Sequence, residues 1–186
     1  MKQLKIRRPE QEDIPELHHF FRTVVTDTFM KEGIGDLKDD MEEEIQTKMN
    51  YLESDLKSNG KERFFLLAVL EEQIVGTIEY GPASNLIITC TNHALKDLNE
   101  VGTVFVHPEF QRMGIGNALL RGLSEVLLKN EIQEICLDSG YRRAQQIWIK
   151  KYGNPDYFLK DYWGEGFDHM IWRVKTTELS SKRASL

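Results

Sequence analysis

Cysteine is scarce in this chain of 186 residues, and its two copies, Cys90 and Cys136, lie in the apolar contexts IITCT and EICLD. With no CxxC pair and no clustered histidines, the pattern argues against both a disulfide framework and a zinc site, and reads as two buried thiols. Long apolar runs are also missing: nothing approaches the ~20 residues needed to cross a bilayer as a helix, which leaves no membrane partner to expect. Basic charge is in deficit, with 24 Lys and Arg against 30 Asp and Glu for a net charge of -6. Binding to nucleic acid relies on a basic surface that displaces phosphate counterions, so nucleic acid is disfavoured as a partner, whereas a cationic substrate suits the acidic field. The opening MKQLKIRRPEQED carries basic residues with no apolar segment behind them, so it does not read as a secretory leader, and the expected location is the cytoplasm.

What is present is the composition of one globular domain, 40% hydrophobic and 29% charged. LKIRR at residues 4–8 alternates as a strand. Asp13 and Glu16 form a capping-box pattern with Pro15 in the first turn, so a helix is expected from Ile14 to just before the Gly33–Gly35 turn. From Asp36 to Asn59, Leu37, Met41, Ile45, Met49, Leu52 and Leu56 recur at helical spacing opposite a dense acidic face, which predicts a second helix with a solvated side. RFFLLAVL and IVGTIEYG, joined by EEQ, read as a central hairpin. Between Pro82 and Asn99 only an irregular connection or a short extra strand is legible. VGTVFVHP at 101–108 is β-branched and ends at a proline, and Asn117 to Asn130 carries a helical apolar stripe. EICLDSG predicts a strand, Arg142 to Tyr152 a helix, and YFLKDYW with FDHMIWRVK a closing hairpin. The reading is one mixed α/β domain over residues 1–175 and a flexible polar tail over 176–186.

The segment EFQRMGIGNALL sets Gln111, Arg112, Gly114 and Gly116 at the junction of a strand and a helix. A helix start presents unpaired N–H groups and roughly half a positive charge, and glycines let an anion approach closely. Arg112 adds a charge-assisted donor. The dinucleotide fingerprint GxGxxG fails at its third position, which is Leu119, and the spacing and Lys-Ser/Thr of a Walker A loop are missing. A tight turn with no ligand stays open for two glycines alone.

The whole stretch VGTVFVHPEFQRMGIGNALLRGL resembles the signature of the GCN5-related N-acetyltransferase (GNAT) superfamily, and the order of elements from Leu4 to Lys175 is similar to that family's fold. The resemblance implies a GNAT-type α/β (mixed α+β) fold with a mostly antiparallel mixed sheet of about seven strands flanked by about four helices. It also implies acetyl-CoA as cosubstrate, with no metal. Its pyrophosphate would lie on Gln111, Arg112, Met113, Gly114, Ile115, Gly116 and Asn117, and its pantetheine arm would pair with the backbone of Val104, Phe105 and Val106. The implied activity is direct transfer of the acetyl group to a primary amine of an unidentified small molecule or protein, with no acyl-enzyme. The alternative from another class is a non-catalytic acyl-CoA-binding regulatory domain.

Transfer needs a neutral amine and therefore a base. Glu100, eleven residues before Gln111, matches the place of the catalytic glutamate of histone-modifying members, and Glu79 and then His107 follow it in rank. For the leaving thiolate many members supply a Tyr four residues after an Ala in the helix after the fifth strand. Counting from Ala144, this chain has Trp148 there, whose indole N–H does not practically transfer a proton. Tyr152, one turn further on, is the best substitute as the acid. The acceptor stays open as an amine-bearing, cationic-leaning partner, and so does a homodimer.

Overall fold

The computed structural model describes residues 3–181. A seven-stranded, mostly antiparallel sheet runs β1 (Leu4–Arg7), β2 (Phe64–Leu70), β3 (Gln73–Pro82), β4 (Asn99–Val106), β5 (Glu134–Ser139), β7 (His169–Lys175), β6 (Tyr157–Leu159) in spatial order. Five α-helices accompany it: α1 (Ile14–Lys31), α2 (Lys38–Ser58), α3 (Asn85–Cys90), α4 (Ile115–Lys129) and α5 (Arg142–Tyr152). The residues fall into two compact units that share β4 and α4, one formed by Met1–Tyr80 with Thr103–Leu123 and the other by Gly81–Gly102 with Ser124–Leu186.

In the first unit, α1 and α2 turn the stripes that their spacing predicts toward the core, except for Leu37, which precedes α2 and is exposed. Leu17, Phe20, Phe21, Val24 and Leu52 pack with Phe65, Leu67, Val69 and Ile74 of β2 and β3, and Phe105 of β4 joins them. This apolar burial is the main stabilising term. The expected capping box between Asp13 and Glu16 does not form; Asp13 instead closes one at a 3-10 turn over Gln11–Asp13, where its Oδ2 accepts the Glu10 N–H at 2.8 Å. Asp13 takes Arg7 in a two-pronged ion pair at 2.6 and 2.8 Å, and Glu16 accepts the Ile74 N–H at 2.7 Å. A carboxylate can satisfy several donors, and Asp13 serves the local Glu10 amide and Arg7 together while Glu16 is drawn to β3. Asp55, fully buried in α2, accepts Arg8 at 2.6 and 3.1 Å and the Phe65 N–H at 2.8 Å, tying the helix to β2 and to the residue that follows β1.

In the second unit, Ala83, Ile87, Leu95, Cys136 and Ile171 form the core. β4 pairs in parallel with β5 at Asn99↔Ile135 and Glu100↔Cys136, and β5 pairs antiparallel with β7 along its whole length. The stretch Pro82 to Asn99 corrects the expectation of an irregular connection or strand, because Asn85–Cys90 is a short helix whose N-cap hydroxyl, Ser84, accepts the Ile87 N–H. The strand expected over Tyr157–Trp163 stops at Leu159. Asp161 turns left-handed at φ 52°, its carboxylate accepts the Gly166 N–H, and its own N–H donates to Asp168, which closes a compact loop. At the start of the expected tail, Thr176 and Leu179 are fully buried, and the Thr176 N–H donates to Gln133. Residues 182–186 of that tail lie outside the described residues.

Candidate active site

The strand-to-helix segment over residues 104–117 belongs to the first unit. β4 ends at Val106, the His107 N–H donates to the Val75 carbonyl, and a 3-10 turn over Pro108–Phe110 leads into the loop. Arg112 at φ 66° and Gly114 at φ 80° both take the left-handed region, and α4 begins at Ile115, two residues earlier than its stripe suggests. Residues 111–114 are exposed. Left-handed residues at a helix entry curve successive amides into one concavity, the shape that holds an anion. The first bond of the helix runs from the Ala118 N–H to the Gly114 carbonyl, so the Ile115 and Gly116 amides have no acceptor within it. A Cβ on Gly114 would meet nothing within 4 Å, and one on Gly116 only Val106 Cγ2 at 3.9 Å, so neither glycine is hemmed in on its side-chain side. This cradle fits a phosphate ester, which is the requirement for coenzyme A.

Gly76 of β3 seats the helix that carries this loop. A Cβ there would come within 2.9 Å of both Ile115 Cγ2 and Leu119 Cδ1 and 3.1 Å of the Phe105 carbonyl. Close approach of the first turn of α4 to the strand therefore requires glycine. Beside it, Gln111 Nε2 donates to the Val106 carbonyl at 3.4 Å, and Val104, Phe105 and Val106 are half-buried.

Glu79, the second-ranked base, lies in the same unit and is 1% exposed. Its carboxylate accepts Arg63 at 2.6 Å and the Thr103 hydroxyl at 3.2 Å. Arg63 stacks on the Tyr51 ring at 3.6 Å from its centroid. Desolvation raises the Glu79 pKa against the opposing pull of Arg63 and Lys48. Burial works against the Lys48 charge, but Glu44 and Glu79 outweigh it and hold the ammonium above its ordinary range. His107, third in rank, accepts the Glu109 N–H on Nδ1 at 3.3 Å.

Glu100 and Tyr152 lie in the second unit. Glu100 is half-buried in β4 and its Oε2 accepts the Ser84 N–H at 2.6 Å. Its charge, after desolvation, helps push the buried Cys136 thiol up to about 12, which keeps that thiol protonated and unreactive. The Tyr152 hydroxyl donates to the Leu179 carbonyl at 2.9 Å, and burial raises its pKa. Its ring stacks on Trp148, centroids 5.7 Å apart. His169 of this unit accepts the Trp163 indole N–H on Nδ1 at 3.1 Å, which leaves its proton on Nε2, 2.9 Å from Asp138. Among the described residues, no cluster of His, Cys, Asp and Glu could hold a metal, and no helix is long and apolar enough to cross a membrane.

Arg63, Thr77 and Thr103 had escaped the sequence reading. The spacing of Thr77 and Glu79 on one strand, which puts both on one face, was the available signal.

The model of the acetyltransferase (GNAT) family matches residues 30–153, more than half of the chain. The chain belongs to the GNAT acetyltransferase family. No curated protein matches it. Among solved structures, it is similar to the PaiA N-acetyltransferase from Thermoplasma acidophilum in complex with coenzyme A, at 21% identity and a TM-score of 0.65 over 93% of this chain and 99% of that one. The ribosomal-protein-alanine N-acetyltransferase from Brucella melitensis is similar at 20% identity and a TM-score of 0.65 over 92% and 99%. A GNAT-family acetyltransferase from Staphylococcus aureus Mu50 is similar at 17% identity and a TM-score of 0.63 over 94% and 99%. These likenesses show that the GNAT fold is shared.

Proposed function

We propose that this GNAT protein is an N-acetyltransferase that moves the acetyl group of acetyl-CoA directly to a primary amine, carried by a small molecule or a protein. The observation that carries the reading is the exposed, doubly left-handed loop at 112–114, heading a helix whose first amides lack intrahelical acceptors. When bound, acetyl-CoA supplies the acetyl group as an activated thioester. Gln111 to Asn117 hold its pyrophosphate through backbone amides with Arg112 adding charge, and the backbone of Val104–Val106 pairs with the pantetheine arm.

Glu100 is assigned as the base that takes the amine proton, directly or through water. Its half-buried position lets it reach solvent while its oxygen stays oriented by the Ser84 N–H. Tyr152 is assigned as the acid for the leaving thiolate. Its raised pKa keeps the hydroxyl proton in place at neutral pH, and delivery requires release of the bond to Leu179. The net charge of -6 favours a cationic amine, and the cytoplasm is the proposed location.

The Tyr152 bond to Leu179 and the indole at Trp148 favour one rival, an acyl-CoA-binding regulatory domain without turnover. A thiol-release screen with acetyl-CoA and a panel of cationic and peptide amines decides between them. The enzyme reading expects release matched by acetylated amine for at least one acceptor, whereas tight acetyl-CoA binding with no release across the panel supports the rival.

A further inference from the structure

Thr103 stands apart from every other residue of its kind in the fold. Among the described residues, nine non-glycine residues have positive φ, and Thr103, at 49°, is the β-branched one and the one inside a strand. The left-handed region is a genuine outlier for a β-branched side chain, and such conformations persist only where the surroundings over-determine them.

Those surroundings are specific. The Thr77 hydroxyl donates to the Thr103 carbonyl at 2.9 Å, and the Thr103 hydroxyl donates to Glu79 Oε1 at 3.2 Å. Arg63 grips the other Glu79 oxygen at 2.6 Å and is itself stacked on Tyr51. Thr77, Glu79 and Thr103 are all buried. A buried ion pair is weak evidence for stability, since apolar packing commonly does as well, but it is a recognised way to fix one arrangement among several. Here the arrangement it fixes is the backbone of β4. A left-handed residue within a strand interrupts its extended backbone and re-aims the segment beyond it. Beyond Thr103 come Val104, Phe105 and Val106, with Phe105 turned into the core against Phe21 at 6.4 Å.

We propose that Glu79, gripped by Arg63, is a positioning residue that pins Thr103 in its left-handed conformation and thereby sets the direction of the Val104–Val106 edge that receives acetyl-CoA. The inference rests on the acetyl-CoA reading above and gives Glu79 a task other than proton abstraction.

The test compares Glu79→Gln, Thr103→Val and their double variant in the full chain. Acetyl-CoA affinity is read by calorimetry, backbone exchange at Val104–Val106 by hydrogen exchange, and, with an active amine, the pH profile of kcat/KM. Each single variant is expected to weaken acetyl-CoA binding about tenfold, the double no more than the worse single, because both cut one linked chain of bonds. Exchange at Val104–Val106 is expected to accelerate in both, and the rising limb of the pH profile to stay at its wild-type position.

The proposal is overturned if Glu79→Gln keeps wild-type affinity and exchange while removing the rising limb, which is the behaviour of a base. It is equally overturned if the two losses multiply, or if neither variant alters exchange. Should Glu79→Gln fail to fold, Thr103→Val and Thr77→Val carry the same expectation. If the wild-type chain does not bind acetyl-CoA at all, the donor reading fails, and the exchange data alone decide whether the pin exists.

Discussion

Glu79 and Glu100 are both strand carboxylates, yet the regions around them differ in how their oxygens are used. Around Glu79, in the first unit, Arg63 and Thr103 occupy one oxygen each and Lys48 adds a second positive charge, with almost no exposure. Around Glu100, in the second unit, one oxygen is oriented by the Ser84 N–H and the residue keeps contact with solvent. A carboxylate enclosed by its own protein does its work on that protein, through desolvation and fixed geometry. One that is oriented and still accessible is equipped to exchange a proton. The contrast teaches why desolvation alone, which is strong at Glu79, is a poor guide to the base: the same burial that raises a pKa also brings partners that consume the lone pairs.

The largest expected effect separates the two regions directly. Glu100→Gln should cut kcat by about 10²- to 10⁴-fold while leaving the melting temperature and acetyl-CoA affinity close to wild type, as steady-state kinetics and calorimetry would reveal. Glu79→Ala should act mainly on stability, lowering it by about 3–5 kcal/mol in urea unfolding, because Arg63 would be left buried without its partner. Were Glu79→Ala stable and Glu100→Gln unfolded, the comparison would be inverted.

Smaller effects sharpen it on the donor side. Gly114→Ala places a Cβ at φ 80°, which costs about 1–2 kcal/mol, and should appear as roughly tenfold weaker acetyl-CoA binding if the loop flattens to relieve it. Gly116→Ala has room, with 3.9 Å to Val106 Cγ2, and should leave the unfolding midpoint unchanged.

The smallest effect concerns acid. The Arg7 guanidinium beside Asp13 holds that carboxyl below its ordinary value. Its stabilising contribution is therefore complete above the unfolded pKa near ~4 and fades as pH falls through the lower folded value. Urea midpoints measured from pH 5 downward should fall less steeply in Asp13→Asn than in wild type.

The turn from β4 into α4 was legible in the sequence because its pattern is local: QRMGIG follows a β-branched strand and precedes an amphipathic helix, and each neighbour constrains the next. The succession of strands along the chain and the two long helices was legible from apolar spacing for the same reason. The short helix Asn85–Cys90 was not, since Leu86 is followed by the β-branched Ile87, Ile88 and Thr89, a composition that suits a strand, and a single Ser84 cap tips it. The Glu79 pin was invisible because its members are distant in the chain, Arg63 by 16 residues and Thr103 by 24. Nothing in a threonine signals left-handed backbone. Asp13 shows the converse error, a capping box that forms between Glu10 and Asp13, one turn before the expected Asp13 and Glu16.

Release of CoA thiol from acetyl-CoA in the presence of an acceptor amine, measured for wild type and Glu100→Gln beside acetyl-CoA affinity for both, tests the account most directly. The account predicts amine-dependent release in the wild type, its near loss in Glu100→Gln, and affinities that agree within about twofold. Undiminished release in Glu100→Gln, or tight binding with no release by the wild type across the amine panel, would contradict it.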